Sequence, residues 1–245
     1  MLDYAFLPPT VSHQTLVPYP ICPQQPILCQ SKPVLGRETI ENSPLWGLIQ
    51  ALALSNEPFW SSSQPRVLSK LKEELDAVVG SSSHMIEKPD FQNLDYLNAV
   101  IKEAFRLHPP LPLLSPHMST QTCTIAGFHV PKNAFTFVNV YSIRRERGVW
   151  ERADEFWQER FLVKSVDVQG QDFELLPFGS GRRACAGMQL GLKTVQLLVS
   201  NLVHAFDWSF VPGKPSEDYL LRECHGTINW IKTPLQVCVV PRTSS

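Results

Sequence analysis

The chain has no Cys-x-x-Cys pair, no Cys/His cluster at zinc spacing and no long run of like charge. Each absence excludes something. Six cysteines (Cys22, Cys29, Cys123, Cys185, Cys224 and Cys238) are spread over 245 residues, a density that calls for no disulfide framework. All but Cys185 read as small buried or half-buried thiols. A formal net charge of −1 gives no electrostatic footprint for nucleic acid, so no such partner is expected. No apolar stretch approaches the roughly 20 residues that span a bilayer. Leu45 to Leu54, the longest candidate, is broken by Gly47 and Gln50. The first residues lack a basic segment followed by an apolar run, so neither a secretory signal nor a membrane anchor is expected. Charged residues are few, at 18%, whereas hydrophobic residues reach 43%, enough for a core in one large domain or two small ones.

Proline divides the chain. Residues 1–64 carry Pro8-Pro9, Pro18, Pro20, Pro23, Pro26, Pro33, Pro44 and Pro58, which break helices and cannot donate to a sheet ladder. That stretch reads as irregular, apart from one short helix near Leu45–Leu54, and holds no catalytic motif. Regular structure is expected over residues 65–245. Pro65 suits a first helical turn, Val67, Leu68, Leu71, Leu75 and Val78 recur at helical spacing, and Gly80 is a stop. Residues 90–94 form a connector. A second helix is predicted from Asp95 to Leu107, with Leu97, Val100, Ile101 and Ala104 as its stripe and Pro109-Pro110 as its end. Between Thr122 and Val140, short strands alternate with turns at Gly127 and Pro131-Lys132-Asn133. A long buried helix is expected from Met188 to Phe206, and a strand over Leu235–Val240.

One segment concentrates chemistry: Pro177-Phe178-Gly179-Ser180-Gly181-Arg182-Arg183-Ala184-Cys185-Ala186-Gly187. It sets an aromatic, glycines, two arginines and one cysteine just before the long helix. A helix start favours a thiolate, and a thiolate is an axial ligand that pushes electron density onto haem iron. Gly181 and Gly187 allow close backbone approach to the sulfur. Arg183 suits a haem propionate. Two other readings remain open. A Gly-rich loop before a helix binds phosphate, although no Gly-Lys-Ser/Thr ending is present. A Cys at such a turn also serves as a nucleophile when a base and an acid stand nearby.

The pattern Phe178-x-x-Gly181-x-Arg183-x-Cys185-x-Gly187 resembles the haem-binding signature of the cytochrome P450 family at all of its fixed positions. A chance match in a chain of this size has a probability on the order of one in 10,000 or less. Glu103-Ala104-Phe105-Arg106 resembles the family's Glu-x-x-Arg, with both charges on one helix face. Gln158-Glu159-Arg160-Phe161 resembles its Arg-Phe element. The motifs stand in the family's order, over about residues 65–242. Phe173-Glu174-Leu175-Leu176-Pro177-Phe178-Gly179 looks like the plant group. Two departures stand out, Ala186 and Gln158, each where plant members usually carry Pro; both are expected to alter loop stiffness only.

The resemblance implies a partial cytochrome P450 fold, mainly α with a small β region. It implies a haem-thiolate monooxygenase that inserts one oxygen atom of O2 into a small organic substrate, with electrons from a NADPH-dependent reductase at the endoplasmic reticulum membrane. Cys185 would be the metal ligand. Phe178, Gly181, Arg183, Gly187 and His117 would contact haem, His117 near a propionate. Glu103, Arg106 and Arg160 would form a buried structural brace. Leu111 to Leu114 and Gly226-Thr227-Ile228 would line a substrate pocket. The family's oxygen-side helix, with its acid and alcohol pair, has no counterpart before Pro65, so no catalytic residue is assigned. The chain is therefore expected to be truncated, and the alternative is a non-catalytic remnant that at most binds haem or a partner.

Overall fold

The structure, a computed structural model, describes residues 66–80, 85–210, 223–224, 229–231 and 237–242. The stretch 1–64, with the helix expected near Leu45–Leu54, and the segment Gly226-Thr227-Ile228 lie outside the described residues. The described residues fall into two units, 117–136 and the remainder.

In the larger unit, α1 spans Arg66–Val79. Val67, Leu71, Leu75 and Val79 recur every four residues on its buried face. Gly80 then takes a positive φ of 64° and donates its N–H to Asp76 O, ending the helix. A 3-10 turn over Lys88–Asn93 occupies the predicted connector. Next comes α2, Asp95–Leu107. Its N-cap, Leu94, has no capping side chain. Glu74 of α1 does the work instead, accepting the Tyr96 and Leu97 amides at 2.6 and 2.9 Å. A carboxylate there satisfies orphan donors and faces the positive end of the helix dipole. Burial outweighs those bonds and raises the Glu74 pKa.

The other end of α2 shows what proline does to a helix. The carbonyl of Phe105 would accept from residue 109, which is Pro109 and has no N–H. Arg144 Nη1 takes that carbonyl at 2.6 Å, and Arg145 Nη2 takes the one on Leu107. Both arginines follow the short helix α3, Val140–Ile143. A further short helix, α4, spans Arg160–Val163.

The long helix α5 runs Met188–Ala205 and packs on α1 and α2. The expectation of a buried helix is corrected here. Only Val195, Val199, Ser200 and Asn201 are buried, while Leu190 is 74% exposed. One stripe docks, and the other faces of α5 meet little among the described residues. Asn201 makes a side-chain substitute for strand pairing, accepting from Ile86 N at 2.9 Å and donating to Ile86 O at 3.0 Å. The helix stops one residue before the expected Phe206. The chain continues as β5, Phe206–Phe210, which pairs antiparallel with the C-terminal strand, Phe206 opposite Pro241 and Phe210 opposite Val237. A second small ladder pairs Glu223 with Ile231 and Cys224 with Trp230.

In the smaller unit, β1 is His117–Met118, β2 Cys123–Ile125, β3 Phe128–Val130 and β4 Phe135–Thr136. The unit is two short antiparallel ladders, β1 with β4 and β2 with β3. Ala126 and Gly127 turn the β2–β3 hairpin with φ of 48° and 84°, the left-handed pair a two-residue hairpin demands. Three of these strands, β2, β3 and β4, fall within the expected Thr122–Val140 stretch. β1 was not expected.

Candidate functional site

Glu103 and Arg106 are both 0% exposed, so their pairing is an interior one. The guanidinium meets the carboxylate through two bonds, Nε to Oε2 at 2.7 Å and Nη2 to Oε1 at 2.8 Å. Nη1 donates to Arg144 O at 2.8 Å and Ala153 O at 2.6 Å, and Nη2 also donates to Glu155 O at 2.9 Å. All of the arginine's N–H groups are thereby used. Glu103 Oε1 accepts a further bond from Trp157 N at 2.7 Å. Such saturation is the condition under which a buried ion pair survives its desolvation cost.

Arg160 approaches the same carboxylate, Nε 3.4 Å from Oε2. It also donates to the carbonyls of Trp157, Glu151 and Arg152. Burial pulls its pKa down, against the opposing pull of Glu103. Trp150 packs beneath both cations, 5.4 Å from Arg106 Cζ and 5.8 Å from Arg160 Cζ, where an indole face stabilises positive charge. The three brace residues assigned from sequence therefore meet in one place. α2 supplies two, and the start of α4 supplies the third.

Gln158 is a correction. Its departure from proline was expected to change stiffness alone. Instead it is 2% exposed and donates Nε2 to Tyr96 Oη at 2.6 Å, tying the start of α2 to the α4 segment. Burial pushes the Tyr96 hydroxyl up to about 12, so it stays protonated.

The cysteine loop lies just before α5. Gly179 and Gly181 hold φ of 73° and 69°, reversals that L side chains resist. A 3-10 turn covers Gly181–Arg183, closed by Ala184 N to Gly181 O at 3.1 Å. Cys185 N then donates back to Phe178 O at 2.9 Å. The Cys185 side chain is a free, exposed thiol, and a Cβ at Gly187 would stand 3.8 Å from its Sγ. Arg182 and Arg183 are exposed and Phe178 is half-buried. Phe178 lies against α5, where a Cβ on Gly191 would come within 3.7 Å of its ring.

Phe178, Gly181, Arg183, Cys185 and Gly187 thus gather on one loop. His117 is exposed in β1, in the other unit. Sequence reasoning missed Gly170. At φ 88° its missing Cβ would strike Gly179 O at 2.7 Å, so the Asp167–Asp172 turn backs directly onto the cysteine loop. The available signal was Gln169-Gly170 between two aspartates. It also missed Arg144, whose carbonyl partner only the structure identifies.

The loop suits haem. It offers an exposed thiol flanked by small residues, an amide already committed to Phe178 O, and two exposed guanidinium groups nearby. The family model for cytochrome P450 matches residues 60–239. Cytochrome P450 98A1 of Sorghum bicolor is 44% identical over 206 residues, covering 81% of this chain and 40% of that protein. A flavonoid 3'-monooxygenase of Arabidopsis thaliana is 44% identical over 182 residues, covering 73% of this chain and 35% of that protein. A zebrafish cytochrome P450 solved with progesterone superposes with a TM-score of 0.66 at 28% identity, over 80% of this chain and 42% of that one. The chain belongs to the cytochrome P450 family, whose general cofactor is haem, and its described part is a partial form of that mainly helical fold. It spans about two fifths of the sorghum relative's length.

Proposed function

We propose that this chain carries the thiolate side of a haem monooxygenase site, with Cys185 as axial ligand. The observation that carries the reading is the Cys185 loop, with its exposed thiol just ahead of α5 and its amide held by Phe178 O. Haem bound there supplies oxygen activation at an iron made electron-rich by a thiolate. The chain's own residues do the rest. Gly187 leaves the sulfur unobstructed, and Phe178 covers the inner flank of the loop. Arg183 offers a guanidinium to a propionate, and His117 is a second candidate for that role. Glu103, Arg106 and Arg160 stiffen the segment between α2 and α4.

The substrate class is a small organic molecule, a reading supported by relatives named as flavonoid 3'-monooxygenases. Electrons would come from a NADPH-dependent reductase, at the endoplasmic reticulum membrane by family. Among the described residues, no helix is long and apolar enough to cross a membrane. The reduced carbonyl complex of the haem-loaded chain should show the red-shifted Soret band of thiolate ligation, and Cys185→Ala should lose it. An unchanged spectrum in that variant overturns the assignment. Thiolate-type haem binding with no product from a substrate panel would instead favour a chain that binds haem without turnover.

A further inference from the structure

We propose that Phe105 is a positioning residue for the cysteine loop: its ring fixes Phe178, and Phe178 fixes the Cys185 amide. The functional meaning rests on the reading of Cys185 as haem ligand.

Phe105 sits inside the Glu103-x-x-Arg106 stretch but does not share the brace's face. Residues two apart on a helix point to different sides. α2 is thus occupied on both flanks, by the brace towards residues 144–160 and by Phe105 towards the cysteine loop. The Phe105 side chain is 4% exposed. Its ring meets that of Phe178 edge to face, centroids 5.4 Å apart at 73°, a preferred geometry that adds to simple burial. The other flank of Phe178 faces Gly191 of α5. The ring is therefore held between two helices, and its backbone carbonyl is the acceptor for Cys185 N.

Phe105 is itself anchored. Its carbonyl, left without a helical donor by Pro109, is held by Arg144 Nη1. A continuous path of contacts runs from Arg144 through Phe105 and Phe178 to Cys185. The brace and the cysteine loop are consequently joined through a residue that neither motif fixes.

Mere volume filling makes a different forecast, because losing it would loosen the whole core evenly. The test is amide hydrogen exchange on the full chain without added haem. It compares the parent with Phe105→Leu, Phe178→Leu and the double variant. Phe105→Met serves as a milder replacement if the leucine variant is insoluble, and Leu75→Ala is a core control on α1. Phe105→Leu should lower protection of the Cys185 amide by roughly three- to tenfold more than that of α1 amides. The double variant should be little worse than either single one, because both remove the same contact. Leu75→Ala should show no such concentration at Cys185. Uniform loss across the core, or additive losses in the double variant, overturns the proposal. In the haem-loaded chain, Phe105→Leu should move part of the reduced carbonyl Soret intensity away from the thiolate position. Absence of a thiolate band in the parent would count against the haem reading alone, and the exchange result would stand apart from it.

Discussion

Arg242 grips Asp76 through both nitrogens, Nη1 to Oδ1 at 3.1 Å and Nη2 to Oδ2 at 2.8 Å, and so pins the last described residue to α1. Its Nη1 also donates to His204 O at 3.3 Å at the end of α5. The hydrogen bond from Arg242 is the main cause that holds the Asp76 carboxyl below its ordinary value. A carboxyl depressed in the fold adds stability above its unfolded value, and that contribution is lost as pH falls through the folded one. Asp76 is 44% exposed, so solvent screening limits the pair to about 1 kcal/mol or less. Arg242→Ala should therefore melt lower than the parent near neutral pH, with the gap closing in acid. A gap that stays constant with pH, in melting followed by circular dichroism, would refute this.

Removing the Glu103 carboxylate leaves the Arg106 and Arg160 charges buried without a counter-charge. Glu103→Ala should cost about 3–5 kcal/mol. Urea unfolding should show the loss as a lower midpoint or, in the extreme, as insoluble protein. Equal midpoints for parent and variant would mean that the carbonyl cage alone holds both cations.

Gln158 and Tyr96 form a polar pair whose halves should not be separable. Gln158→Leu strands a buried hydroxyl, at a cost of about 1–3 kcal/mol. Adding Tyr96→Phe should recover most of that loss, since no polar group then remains unpaired. A double variant as unstable as the sum of its parts would show that the two side chains act independently.

Arg144 has one satisfied nitrogen, while Nε and Nη2 are buried with no hydrogen-bond partner. Burial, with help from Arg145 and Arg106, brings its pKa down to about 9. Arg144→Met should raise stability, because several kcal/mol of desolvation outweigh the cost of about 1–3 kcal/mol of leaving Phe105 O without its donor. The charged form is disfavoured by folding, so the parent should gain on the variant as pH climbs past about 9. Chemical denaturation at pH 7 and pH 10 measures both effects, and a variant less stable at pH 7 would show that the cap on Phe105 O is the larger effect.

What sequence revealed was mostly what local rules govern. α1 and α2 were legible because apolar spacing, Pro65, Gly80 and Pro109 mark their faces and ends. β5 was not. Phe206-Asp207-Trp208-Ser209-Phe210 alternates as a strand should, but it directly continues a helical run and its partner lies at Val237–Pro241. α5 looked buried because Leu and Val are dense in it, and composition does not say which faces find neighbours. The motif residues proposed for the site were singled out by resemblance. Their backbone partners were not, since the carbonyls of Arg144, Ala153 and Glu155 belong to no particular residue type. Gln158 was misjudged for a related reason, because its partner is 62 positions away.

Position 106 also has consequences for how this chain can change over time. Its side chain serves one carboxylate and three carbonyls at once, through donors fixed in a plane. A lysine there would keep the charge but present all its donors from one rotating nitrogen, leaving acceptors on opposite sides of the cage dry. A change to lysine therefore cannot reproduce the cage. The packing of α2 against the loop before α4 calls for arginine at this position on structural grounds alone, independent of any role for Cys185.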